Sequence, residues 1–126
     1  MTINDAITEV NNLKPNDYSD GDKIKWLYRL DAEIKAAIYD THDYNDGESE
    51  PELENYDADH KSTTVLLVPE PYAEIYVHYL SAQIDYYNRE YDGFNATNAM
   101  YAAAYSAFRN HYNATHMPKT ARKIYY

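Results

Sequence analysis

The chain has no cysteine, which excludes disulfides, thiolate zinc sites and a cysteine nucleophile. Only three residues are glycine, too few for the loops that cradle phosphate in Walker-type or dinucleotide sites. Large apolar anchors are also scarce. With two Phe, one Trp and a moderate set of Ile, Leu and Val, the core of one copy should be thin. No stretch approaches the roughly 20 apolar residues that span a bilayer. The start, Met1-Thr2-Ile3-Asn4-Asp5-Ala6, lacks a basic region followed by an apolar run, so a cytoplasmic origin without a membrane partner is expected. At a formal charge of −10 there is little Lys or Arg to displace counterions from phosphates, which argues against DNA coating or sequence-specific nucleic acid binding. The length of 126 residues predicts a single domain over 1–126, large enough for a core but short for an enzyme with a deep pocket.

What the chain does have is tyrosine. There are sixteen, and nine of them fall between Pro71 and Pro118, where two long helical patterns run. Tyrosine offers a large ring at modest entropy cost and keeps a hydroxyl that tolerates water. It therefore suits a surface exposed before assembly and buried afterwards.

The fold class predicted from periodicity is mainly α: a small bundle of about four helices with a long antiparallel C-terminal pair, a long acidic loop and one short β-strand. Ile3, Ala6, Ile7, Val10 and Leu13 recur at helical spacing behind Thr2, a capping residue with Asp5 at the matching position, and this helix stops before Pro15. Ser19 and Asp22 open a second helix over about 22–40, with Ile24, Leu27, Leu30, Ile34 and Ile38 inward and Lys23, Lys25, Arg29, Glu33 and Lys35 on the other positions. Asp40 to Asp59 holds nine acids and no Lys or Arg, with Gly47 and Pro51 as breakers, so residues 40–61 predict a solvated, mobile loop. Thr63 to Val68 is a β-branched run closed by Pro69 and reads as a strand. A lone strand leaves half its backbone groups unpaired, so this one should add to a neighbouring subunit.

Pro71 fits the first turn of a third helix, in which Glu74, His78, Ser81 and Asp85 form a polar stripe and two further stripes are apolar or aromatic. Asp92-Gly93 reads as its stop and Asn95 as the cap of a fourth helix. In that helix Ala96, Ala99, Met100, Ala103, Ala107 and Ala114 predict a face for close helix approach. After Asp92 there are no acids, and Arg109, Lys119, Arg122 and Lys123 leave the end basic, with 119–126 as a basic tail.

Catalytic and metal chemistry find little support. His42 and His60 flank the acidic loop, but aligning Gly47 with the EF-hand glycine puts His42, Tyr44 and Leu53 at ligand positions, and two of those cannot serve. Glu74, His78 and Asp85 share a stripe as ordinary surface helix pairs do, with no nucleophile motif beside them. His111 and His116 are five residues apart and cannot share a helical face as zinc ligands do. No catalytic residue, metal ligand or cofactor is therefore assigned. Asn95-Ala96-Thr97 and Asn113-Ala114-Thr115 match the glycosylation sequon by chance.

Trp26-Leu27 with Leu30-Asp31, Pro71-Tyr72, Ile84-Asp85-Tyr86-Tyr87-Asn88 with Tyr91, Phe94-Asn95, His111-Tyr112-Asn113 and His116-Met117-Pro118 occur in an order that resembles the head–tail connector, or adaptor, proteins of long-tailed double-stranded DNA phages and prophages. The resemblance spans about 22–118 and carries no catalytic signature. It implies a compact helical protein of the virion neck, monomeric when dilute, that joins a homo-oligomeric ring of about twelve copies between the portal protein and other neck or tail-completion proteins and lines the DNA channel. The candidate partner-binding residues are Thr63, Val65 and Leu67 in the strand, Tyr76, Tyr87 and Tyr91 on the tyrosine stripes, and Lys119, Arg122, Lys123, Ile124, Tyr125 and Tyr126 in the tail. A different class of function, an acidic DNA mimic that inhibits a host DNA-binding enzyme, would spread its acids over helical faces. Here nine of twenty-one sit in one loop and the end is basic.

Overall fold

A computed structural model describes residues 1–119 and is mainly helical. Helix α1 (Ile3–Leu13) is closed at its start by a complete capping box: Thr2 Oγ1 accepts from the Asp5 N–H at 3.1 Å and Asp5 Oδ2 accepts from the Thr2 N–H at 3.0 Å. Helix α2 (Asp20–Ala37) starts where Ser19 Oγ takes the Asp22 N–H at 3.1 Å. A 3-10 turn over Tyr39–Thr41 leads into the acidic loop. Helices α3 (Glu74–Tyr87) and α4 (Tyr91–Thr115) follow the loop. The core is made by Ile3, Ile7 and Val10 of α1, Leu27, Leu30 and Ile34 of α2, Ile75, Leu80 and Ile84 of α3, and Phe108 and Tyr112 of α4, roofed by Leu66 and Val68.

The long antiparallel pair is α3 and α4. Ring contacts Tyr86–Phe94, Tyr79–Tyr101 and Tyr72–Phe108, at 5.5, 5.1 and 5.9 Å, step away from the connection in opposite directions along the two partners. The connection itself differs from expectation. Asp92 and Gly93 lie inside the first turn of α4, and the stop is four residues before Gly93, in a Schellman motif. Arg89 takes the left-handed conformation at φ 59°, the Glu90 N–H reaches the Asp85 carbonyl at 2.9 Å, and the Arg89 N–H reaches the Tyr86 carbonyl at 3.1 Å. Gly93 serves a different need: a Cβ there would lie 3.3 Å from Asp85 Oδ2, so its small size admits a carboxylate against the helix. Pro71 also lies outside α3, in the turn that precedes it and after a cis peptide bond.

Thr63 to Val68 is not a strand. Among the described residues β pairing is limited to isolated bridges, and this segment makes one, Val65 with Thr2. The Ile3 N–H donates to the Thr64 carbonyl at 3.1 Å and the Leu66 N–H to the Met1 carbonyl at 3.0 Å, so the chain's own start pairs with the segment. The β-branched run reflects alternation: Leu66 and Val68 are buried and Val65 is exposed.

Two polar assignments also change. Asp85, on the polar stripe of α3, is fully buried and ion-paired with Lys14, while Thr97 of α4 donates to it at 2.9 Å. Lys23 is buried too, its ammonium held by Asn11 Oδ1 at 2.8 Å and the Tyr18 carbonyl at 2.9 Å, and burial pulls its pKa down. Both residues fasten the α1–α2 connection, a long-range role that helical periodicity does not display. The alanine face of α4 is not a contact within the chain: Ala96, Ala99, Met100, Ala103, Ala107 and Ala114 are all exposed.

Candidate assembly surface

The loops that frame the outer surface are held by two polar networks. In the first, the Asp31 carboxylate on α2 is fully buried and accepts from the Tyr56 hydroxyl at 2.5 Å, the Tyr76 hydroxyl at 2.6 Å and the Leu67 N–H at 3.2 Å. Burial raises its pKa, while those three donors oppose the rise. Tyr76 in turn accepts from the Val68 N–H at 2.7 Å. The Tyr39 hydroxyl donates to the Leu67 carbonyl at 3.0 Å. One carboxylate thus ties α2, α3, the acidic loop and the 65–68 segment together.

The second network clasps the start of the acidic loop to the end of α4. His42 is buried, with Nδ1 2.7 Å from the Ile38 carbonyl and Nε2 2.7 Å from Asn113 Oδ1. The Asp43 N–H donates to the Met117 carbonyl at 2.8 Å, and His42 forms an antiparallel bridge with Pro118. Asn45 Nδ2 donates to the Thr115 carbonyl at 3.1 Å, and His116 Nε2 lies 2.9 Å from Glu48, its ring stacked on Tyr112 with centroids 3.7 Å apart. The Asn45 N–H, ahead of His116, holds the Glu48 carboxyl below its ordinary pKa. The loop expected to be free is thus tied at residues 42–48 and again at Tyr56, while Asp46, Glu50, Glu52 and Glu54 remain exposed.

The candidate residues fare unequally. Tyr76 is fully buried in the Asp31 network, so it is not a contact residue; its ring belongs to the core because Asp31, far away in sequence, draws its hydroxyl inward. Leu67 is half-buried with both backbone groups engaged, and Thr63 sits exposed in a turn, its hydroxyl on the His60 carbonyl at 3.1 Å. Val65 is 63% exposed. Tyr87 and Tyr91 are exposed, although Tyr87 also stacks on Trp26 with centroids 5.4 Å apart. The Lys119 ammonium lies 6.0 Å from the centre of the Tyr44 ring. Arg122, Lys123, Ile124, Tyr125 and Tyr126 lie outside the described residues.

The structure adds surface that periodicity alone did not single out. α4 is 25 residues long, yet only Phe108 and Tyr112 are buried, and from Gly93 to Thr115 Arg109 is its single Lys, Arg, Asp or Glu. A solvent-facing helix of that length ordinarily carries charge on its outer side. Tyr86, Tyr87 and Tyr91 are exposed around the α3–α4 connection, interleaved with the charged Arg89, Glu90 and Asp92, and Leu13 is exposed at the end of α1. A separate groove of about 470 Å³ runs between α2 and the acidic loop, with Ile24, Tyr28, Leu53, Tyr56 and Ala58 in its walls. Among the described residues no group of three His, Cys, Asp or Glu side chains is placed to hold a metal ion, and no helix is long and apolar enough to cross a membrane. No family model, curated protein or solved structure matches the chain.

Proposed function

We propose that this chain is a structural protein of the phage neck, a head–tail connector that forms a ring between portal and tail and contributes to the wall of the DNA channel. The observation that carries the reading is α4, a 25-residue helix with two buried side chains and an outer face almost devoid of charge. Such a face is a poor solvent surface and a good subunit contact, because interface centres are depleted in charge and enriched in aromatic residues and Met. Met100, Tyr91 and Tyr86, exposed at 53, 60 and 51%, supply that chemistry here. The acidic loop adds a second property. Exposed carboxylates facing a channel repel phosphates and let DNA pass without adhering.

Deleting the gene from a prophage that carries it, with and without a complementing plasmid, tests the proposal. The expected outcome is DNA-filled heads that fail to join tails and regain them on complementation. Tailed, infectious particles from the deletion strain would overturn the reading.

A further inference from the structure

We infer that the groove between α2 and the acidic loop receives the C-terminal segment of an adjacent copy, with Ile124, Tyr125 and Tyr126 on its apolar walls and Arg122 and Lys123 on its acidic rim. This rests on the assembly reading above and names one of its contacts. The groove has apolar walls in Ile24, Tyr28, Leu53 and Tyr56 and a volume of about 470 Å³. Tyr28 remains 43% exposed on its lip. Glu52, Glu54 and Asp57 are exposed on the loop that forms one wall, while Lys25 stands on the helix opposite. The segment Lys119-Thr-Ala-Arg122-Lys123-Ile124-Tyr125-Tyr126 has the complementary order, two adjacent cations followed by three apolar or aromatic side chains. Aromatic anchors in a pocket surrounded by paired charge are the usual form of a short docking segment.

Reach favours an adjacent copy over the same one. Pro118 is bridged to His42, and His42 is bonded to the Ile38 carbonyl, so the segment departs from the C-terminal end of α2. The groove is at the opposite end of that helix, around Gly21, Ile24 and Tyr28. From Ile38 the axis runs about 15 Å to Tyr28 and about 21 Å to Ile24. Pro118 to Ile124 reaches at most about 20–22 Å and Pro118 to Tyr126 about 26–29 Å when fully extended, so the chain's own tail would have to run nearly straight, with little slack for lateral travel or for settling into the groove. The groove of a neighbour carries no such limit.

The test uses the full chain with Tyr125 replaced by the photoreactive residue p-benzoylphenylalanine, mixed as isotope-labelled and unlabelled protein at assembly concentration and irradiated. Cross-links between labelled and unlabelled chains, mapping to residues 24–28 or 53–58, are expected. Arg122→Glu with Lys123→Glu should lower their yield about tenfold, and Glu52→Lys with Glu54→Lys in the partner should restore it, as reversed charge pairs do. Because these positions are exposed or outside the described residues, the charge swap does not depend on refolding the core. Cross-links within one chain only, cross-links elsewhere on the neighbour, no cross-links, or no rescue by the swap would each overturn the inference. Failure here with tail-less heads in the deletion strain removes this contact and leaves the connector reading standing; normal particles in that strain remove the reading itself.

Discussion

Tyr76→Phe isolates the buried carboxylate network, because it removes one oxygen and leaves the ring in place. The lost hydroxyl donates to Asp31 at 2.6 Å and accepts from the Val68 N–H at 2.7 Å, both inside the protein. Apolar burial is unchanged, so the effect is that of two groups stripped of a partner. Leaving a buried donor or acceptor unsatisfied costs about 1–3 kcal/mol, more when charged, and a loss of about 3 kcal/mol is expected for the pair. Urea unfolding followed by circular dichroism should show the midpoint falling by about 1–3 M, since a chain of this size has a slope of about 1–3 kcal/mol/M. Asp31→Asn and the double variant close a cycle, with a coupling of about 0.5–3 kcal/mol expected for residues in one network. A loss below about 1 kcal/mol for Tyr76→Phe, or additive effects in the cycle, would refute the claim that this network holds the loops.

Asp31 also predicts a pH dependence. Its pKa is raised in the folded chain, so the folded state binds the proton more tightly, and its stabilising contribution is complete below the unfolded value near 3.8 and lost as pH rises through the folded one. The stability of wild type relative to Asp31→Asn should therefore increase as pH falls toward 3.8, opposite to the exposed, lowered-pKa carboxylates such as Asp5, and a difference curve sloping the other way would contradict it. Arg89→Gly should raise stability by about 1 kcal/mol in thermal unfolding, by relieving the left-handed backbone of a residue that has a Cβ. Ala103→Leu should leave the stability of the dilute chain within about 0.5 kcal/mol while disturbing ring formation, read by sedimentation and melting side by side. Hydrogen exchange should show residues 42–48 and 113–118 protected together and residues 51–55 exchanging fastest, because the latter lie outside both polar networks.

The start of the fold was readable because its signals are local. Thr2 with Asp5, and Ser19 with Asp22, mark helix starts within one turn, and Ile3, Ala6, Ile7 and Val10 of α1 and Ile24, Leu27, Leu30 and Ile34 of α2 are buried as the 3.6-residue period predicts, while Leu13 at the end of α1 is exposed. What misled was context that is distant in sequence. Gly93 carries the usual mark of a stop, yet its smallness is explained by Asp85 pressed against it, while Arg89 bends the chain because the Schellman bonds outweigh its local strain. Lys23 and Tyr76 read as outer-face or contact residues by period alone. Each is drawn inside by partners that no local pattern reveals, Asn11 and the Tyr18 carbonyl for one and Asp31 for the other. The β-branched run at 63–68 marks extended backbone correctly, but whether a strand forms depends on what lies alongside, and only residues 1–3 do. Of the candidate surface, the tyrosine stripes were legible in kind and not in membership, since the same residue type serves the core at Tyr76 and the exterior at Tyr91.

The clasp at the end of α4 also has a mechanical meaning. The Pro118–His42 bridge and the bond from Asp43 to the Met117 carbonyl hold the last described stretch alongside the loop, and the His42 ring passes that attachment to the carbonyl of Ile38. A pull on the chain beyond Lys119 is therefore not taken up by α4 alone. It is shared with the end of α2, and through Ile38 with the core, so tension from a neighbour loads two helices at once. In the proposed ring, each subunit would pass such a load into its own core through the histidine that anchors its loop.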